Sequence, residues 1–172
     1  MWRAPAVVAL LLAASPAGAD YDRTRWGMSL AEVQALHPGG HAGDGEDGHP
    51  SYWVLVPVGG RRAIARFTFG NDGLSSNEGL SGVVLKFPRQ GTPVDLATGA
   101  YTRMTKVESR ELLRSLKTAY GVRLGKPFAE DAQGASWTAG KDFVGLATSC
   151  EGDLCTVRVV YTPLPTTLHT GG

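Results

Sequence analysis

Three imidazoles and three carboxylates crowd one glycine-broken run: His37, His41, Asp44, Glu46, Asp47 and His49. Such groups bind zinc or copper once deprotonated, and the glycines let the chain wrap around an ion. His37, His41 and His49 are the candidate ligands. The same glycines give the unbound loop much entropy to lose, the spacing is irregular, and no helix fixes a ligand. A solvated loop is therefore the stronger reading of residues 39–50. Other chemistry is sparse. There is no Gly-x-Ser-x-Gly elbow. The stretch Gly134 to Lys141 approaches a phosphate-binding loop, but it has one residue too many before Gly140-Lys141. Asp142 also stands where Ser or Thr must bind magnesium. Trp26, Trp53 and Trp137 offer stacking surfaces, yet large aromatics in strands and at helix entries more often fill a core. No cofactor is called for.

Cys150 and Cys155 are the only cysteines. In an oxidising compartment such a close pair is most simply a disulfide, with free thiols or a metal as alternatives. A metal needs more ligands than the pair offers. Facing residues of an antiparallel hairpin share a face, so pairing Cys150 with Cys155 sets Thr148 opposite Val157. It also sets Leu146 opposite Val159 and Val144 opposite Tyr161, a largely apolar row.

The elements that must carry these residues start with a capping box at Ser29 and Glu32, followed by Leu30, Val33 and Leu36 at helical spacing. Strands are expected at Tyr52–Val56, Ala63–Phe69 and Gly82–Phe87, the last stopped by Pro88. A stretch without period, Arg89 to Tyr101, reads as a connector. A second capping box, Thr105 and Glu108, opens a helix with the stripe Leu112, Leu113, Leu116, Ala119 and Tyr120, capped by Gly121. Three further strands fall near Ala135–Thr138, Asp142–Cys150 and Cys155–Thr162. The halves, about 20–88 and 100–163, match in order, with Trp53 parallel to Trp137. The expected fold is α+β: an antiparallel sheet of about six strands from two tandem helix–β–β–β units, with the helices on one face.

The stretch Arg25-Trp26-Gly27-Met28-Ser29-x-x-Glu32-Val33 resembles the entry to a short helix in small exported bacterial proteins of the β-lactamase-inhibitory-protein-like fold. The outer-membrane assembly lipoprotein BamE shares that fold. The resemblance covers the motif and, loosely, the tandem layout. It implies a habit of binding other proteins and names no catalytic residue. This chain lacks BamE's lipid-anchor cysteine.

Residues 1–19 read as a signal peptide. Arg3 supplies the positive end, an apolar run spans Ala4 to Ala14, and Ala17-Gly18-Ala19 sets small residues at a cleavage site. The run is too short to span a bilayer, and no later stretch is apolar enough to do so. Residues 20–172 then form one domain, placed in the periplasm or secreted. Removing Arg3 leaves sixteen Lys and Arg against sixteen Asp and Glu. That neutrality gives no support to nucleic acid as a partner.

Alternation sends Ala63, Ala65, Phe67 and Phe69 to one face, with Val83, Leu85, Phe87, Val157, Val159 and Tyr161. The opposite face keeps Arg62, Arg66, Lys86 and Arg158. The plain account is that these charges solvate an open sheet; the sharper one is that they dock an acidic protein surface. The sequence thus points to a non-enzymatic protein-binding or inhibitory module whose partner is another envelope or extracellular protein. The alternatives are a small periplasmic enzyme with an unrecognised site, or a metal- or small-molecule-binding protein using loop 37–49.

Overall fold

A computed structural model describes residues 21–45, 48–70 and 79–164. The proposed signal peptide, and Glu46 and Asp47 of the His-rich run, lie outside the described residues. In chain order the elements are α1 (Leu30–Leu36), β1 (His41–Asp44), β2 (Pro50–Val58), β3 (Arg61–Gly70), β4 (Gly79–Lys86), β5 (Val94–Asp95) and β6 (Ala100–Tyr101). Then follow β7 (Met104–Thr105), α2 (Lys106–Leu124), β8 (Ala129–Glu130), β9 (Gly134–Ala139), β10 (Asp142–Glu151) and β11 (Leu154–Pro163). No described helix is long and apolar enough to cross a membrane.

The fold is mostly sheet. Eight strands run in the antiparallel order β1-β2-β3-β4-β11-β10-β9-β8, β7 pairs with β11 to make a nine-stranded sheet, and β5 and β6 form a small separate hairpin. This corrects the expected α+β sheet of about six strands from two tandem helix–β–β–β units. Two short strands, β1 and β8, extend the edges, and the connector folds into a hairpin of its own. The helices are not equivalent either: α1 has 7 residues and α2 has 19. Trp53 and Trp137, expected at matching places, point to opposite faces. Alternation puts Tyr52, Val54 and Val56 inward on β2, leaving Trp53 outside, whereas Trp137 of β9 lies in the core against Tyr120 of α2.

Local chemistry explains the turns. Gly59 and Gly60, with φ of 56° and 77°, form the two-residue loop between β2 and β3. Positive φ at both positions gives a turn whose twist matches that of the strands it joins. In the cysteine hairpin the observed pairs are Cys150 with Cys155, Thr148 with Val157, Leu146 with Val159 and Val144 with Tyr161, as the apolar row requires. The disulfide is formed, and closing so short a loop contributes about 2 kcal/mol. Both capping boxes are present. The second helix runs past Gly121 and stops at Gly125, whose φ is 84°. Ala119, expected in the apolar stripe, lies on the exposed side of the helix.

The inward rows of β2, β3, β4, β10 and β11 make one core with Val33 of α1 and Leu112, Leu113, Leu116 and Tyr120 of α2. The Arg25–Glu32 entry is fixed to that core at two points. Gly27 N donates to Leu80 O (2.9 Å), and Leu80 N donates to Met28 O (2.8 Å). Trp26 Nε1 donates to the buried carboxylate of Asp142 (2.5 Å), joining the entry to α1 to β10.

Candidate functional site

The outer sheet face is built from strand register. Leu55, Ile64, Lys86 and Arg158 lie side by side across β2, β3, β4 and β11. The neighbouring row is His41, Trp53, Arg66, Val84 and Val160. Successive side chains alternate, so these two rows share the outer face, as alternation in the sequence requires for Arg66, Lys86 and Arg158.

The face is not left open. The β5–β6 hairpin folds over its N-terminal half and buries Ile64 to 4% exposure. Asp95 holds the hairpin's turn, its carboxylate accepting from Ala97 N (2.9 Å) and Thr98 Oγ1 (2.8 Å). The Thr98 hydroxyl first, then the backbone amides, keep that carboxyl below its usual range. The hairpin's stem is tied down where Arg89 N donates to Thr102 O (2.8 Å) and Arg62 Nη2 to Thr92 O (3.3 Å). The hydroxyls of Tyr101 and Thr156 lie 3.4 Å apart.

Under this arm is a cavity of about 180 Å³. Trp53, Ile64, Arg66 and Lys86 form its floor, Leu96 to Gly99 and Tyr101 its roof, and Asp44 one side. The Arg66 guanidinium lies 5.9 Å from the Trp53 ring centroid and donates from Nε to Ser51 Oγ (3.2 Å). The four cations singled out in the sequence thus separate by role. Arg66 and Lys86 line the cavity, Arg158 sits exposed directly across the strand pair from Lys86, and Arg62 is held aside by the arm. Among the described residues neither Lys86 nor Arg158 has an acid within ion-pair reach.

The three histidines are not gathered, and among the described residues no group of three or more His, Cys, Asp or Glu side chains is poised to hold a metal. His41 sits on the β1 edge, its ring centroid 6.3 Å from that of Trp53. The His49 carbonyl accepts from Gly45 N (2.8 Å) and Ser51 Oγ (3.2 Å). His37 is part of the core. It stacks on Phe67 at 5.1 Å, and its carbonyl accepts from Tyr52 OH (2.6 Å). Its Nδ1 is 4.0 Å from Asp22, while Nε2 has no hydrogen-bond partner among the described residues.

Burial lowers the His37 pKa, against the pull of Asp22. The unfolded chain, whose histidine titrates near the ordinary value of about 6.5, then binds the proton more readily than the folded one. Stability from this group is full above that pH and is lost as pH falls towards the lower folded value. Urea unfolding midpoints should therefore drop between pH 7 and pH 5, and His37→Phe should flatten that dependence. Equal slopes for the two proteins would contradict the burial argument.

Sequence reasoning missed the arm and what lies beneath it. It took Trp53 for core and residues 89–101 for a plain connector. The one signal was Asp95-Leu96-Ala97-Thr98-Gly99, a turn pattern in which the acid binds backbone two residues on. No family model, curated protein or solved structure matches the chain.

Proposed function

We propose that the chain is an exported, non-enzymatic module that binds the acidic surface of another envelope or extracellular protein through its outer sheet face. The observation that carries this reading is the Lys86–Arg158 pair. Like charges directly opposite on neighbouring strands are destabilising, yet these two face each other with no described acid in ion-pair reach. A carboxylate brought by a partner relieves that repulsion, and arginine's planar donor set suits it. Arg66, two residues along the face, adds a third cation beside Trp53. The likeness of the Arg25–Val33 motif to small exported binding proteins is in keeping with this reading, as is the signal-like segment 1–19.

The test is affinity capture with the mature chain from its own envelope extract. The exported protein is expected to begin at Asp20 by intact mass, and to retain a partner that Lys86→Glu with Arg158→Glu releases. These two positions are preferred to Arg62 and Arg66, whose side chains also hold the arm and Ser51. A folded double variant that keeps the partner would place the binding surface elsewhere.

A further inference from the structure

Away from the outer face, Lys106, Arg110, Arg114 and Lys117 recur along α2 at spacings of four, four and three. This puts them on one flank of the helix. That flank borders two adjoining hollows of about 500 Å³ and 260 Å³, which share Arg110, Leu113 and Ala132. The far wall is the turn 131–134, held rigid by its own bonds. Asp131 Oδ1 accepts from Gln133 N (2.7 Å) and Gly134 N (2.8 Å), and Gln133 O accepts from Thr148 N (2.8 Å).

The two ends of the cationic row are occupied. Lys106 Nζ lies 3.3 Å from Asp153, and Lys117 Nζ lies 3.0 Å from Glu130 while donating to Asp131 O (2.5 Å). Arg110 and Arg114, between them, are exposed and have no acid in ion-pair reach among the described residues. The groove is therefore bounded on both sides, its end lysines are already paired with acids, and two guanidiniums without a described acid partner stand at its centre.

We infer that this groove binds an extended acidic peptide segment carrying carboxylates on alternate residues. The spacing argues for it. One helical step of four residues advances about 6 Å, and alternate side chains of an extended chain are about 6.7 Å apart on the same side. Two carboxylates in an acid-x-acid segment thus meet Arg110 and Arg114 in register, each able to accept two hydrogen bonds from a guanidinium. The intervening residue is directed to the other wall, where Gln133 and Ser149 offer polar partners beside Ala132, over a floor of Leu113. This surface is separate from the outer sheet face, so the two readings stand or fall independently.

The experiment uses the mature chain and a fluorescent peptide with glutamate at alternating positions. Two competitors are a peptide of the same composition with its glutamates contiguous at one end, and a sulfated oligosaccharide. Saturable binding tighter than about 1 mM is expected for the alternating peptide. Arg110→Glu with Arg114→Glu should weaken it at least about tenfold while the helical circular dichroism is unchanged. Lys86→Glu with Arg158→Glu should leave it intact. The inference is overturned by no saturable binding, by equal affinity for the contiguous peptide, or by stronger binding of the oligosaccharide, which would mark a general polyanion patch. Loss of binding in the Lys86/Arg158 variant would also overturn it, by moving the peptide to the sheet face.

Discussion

Trp137→Ala is expected to cost about 3–5 kcal/mol of folding stability, whereas Trp53→Ala should change stability by no more than about 1 kcal/mol. The Trp137 indole is 2% exposed, packs against Tyr120 with ring centroids 5.7 Å apart, and donates Nε1 to Gly125 O at the end of α2 (3.0 Å). Truncation leaves a cavity at the junction of sheet and helix and strips an acceptor of its donor. Trp53, on the other face, contacts Arg66 and His41 beside the arm cavity. Urea titration of the two variants separates the cases; equal losses would contradict the opposite placement of the two indoles.

Gly79→Ala is the second large effect. A Cβ at Gly79 would lie 2.4 Å from Gly27 O and 2.5 Å from Gly27 C, both backbone atoms. Relief requires the Arg25–Glu32 entry to move off β4, straining the Gly27–Leu80 and Leu80–Met28 hydrogen bonds that dock it. A loss of about 3 kcal/mol is expected. Gly82→Ala is the control, since among the described residues its Cβ would meet only Tyr161 O at 3.9 Å. Thermal unfolding should show Gly79→Ala far below Gly82→Ala; similar midpoints would mean the entry is not packed against β4.

These two positions also show what the sequence makes readable. The period-two rows of β3, β4, β10 and β11 were legible because long strands with one buried face repeat the same choice many times, as Ala63 to Phe69 do. The cysteine pair then fixed a register by simple counting. The strands β1 and β8 carry no such signal. Both lie at the sheet's edges, and all of their residues are exposed. A single tryptophan in a strand suits either face, which is why Trp53 and Trp137 looked alike. The cations of the outer face were legible by alternation, but their roof was not, since the arm is held by one Asx turn and a few long-range bonds. The basic flank of α2 is visible in the spacing from Lys106 to Lys117. Its groove is not, because the opposite wall comes from residues 131–134 and β10.

The pairing of β4 with β11 joins Lys86 to Arg158, seventy-two positions later in the chain, at the centre of the sheet. Every other long pairing closes a neighbouring hairpin. Strands β2 to β4 can pair early in folding, but the far edge of β4 stays unpaired until Arg158 to Tyr161 reach it. Such non-local closure delays folding. The nine-stranded sheet becomes continuous only when β11, the last described strand, has paired with β4.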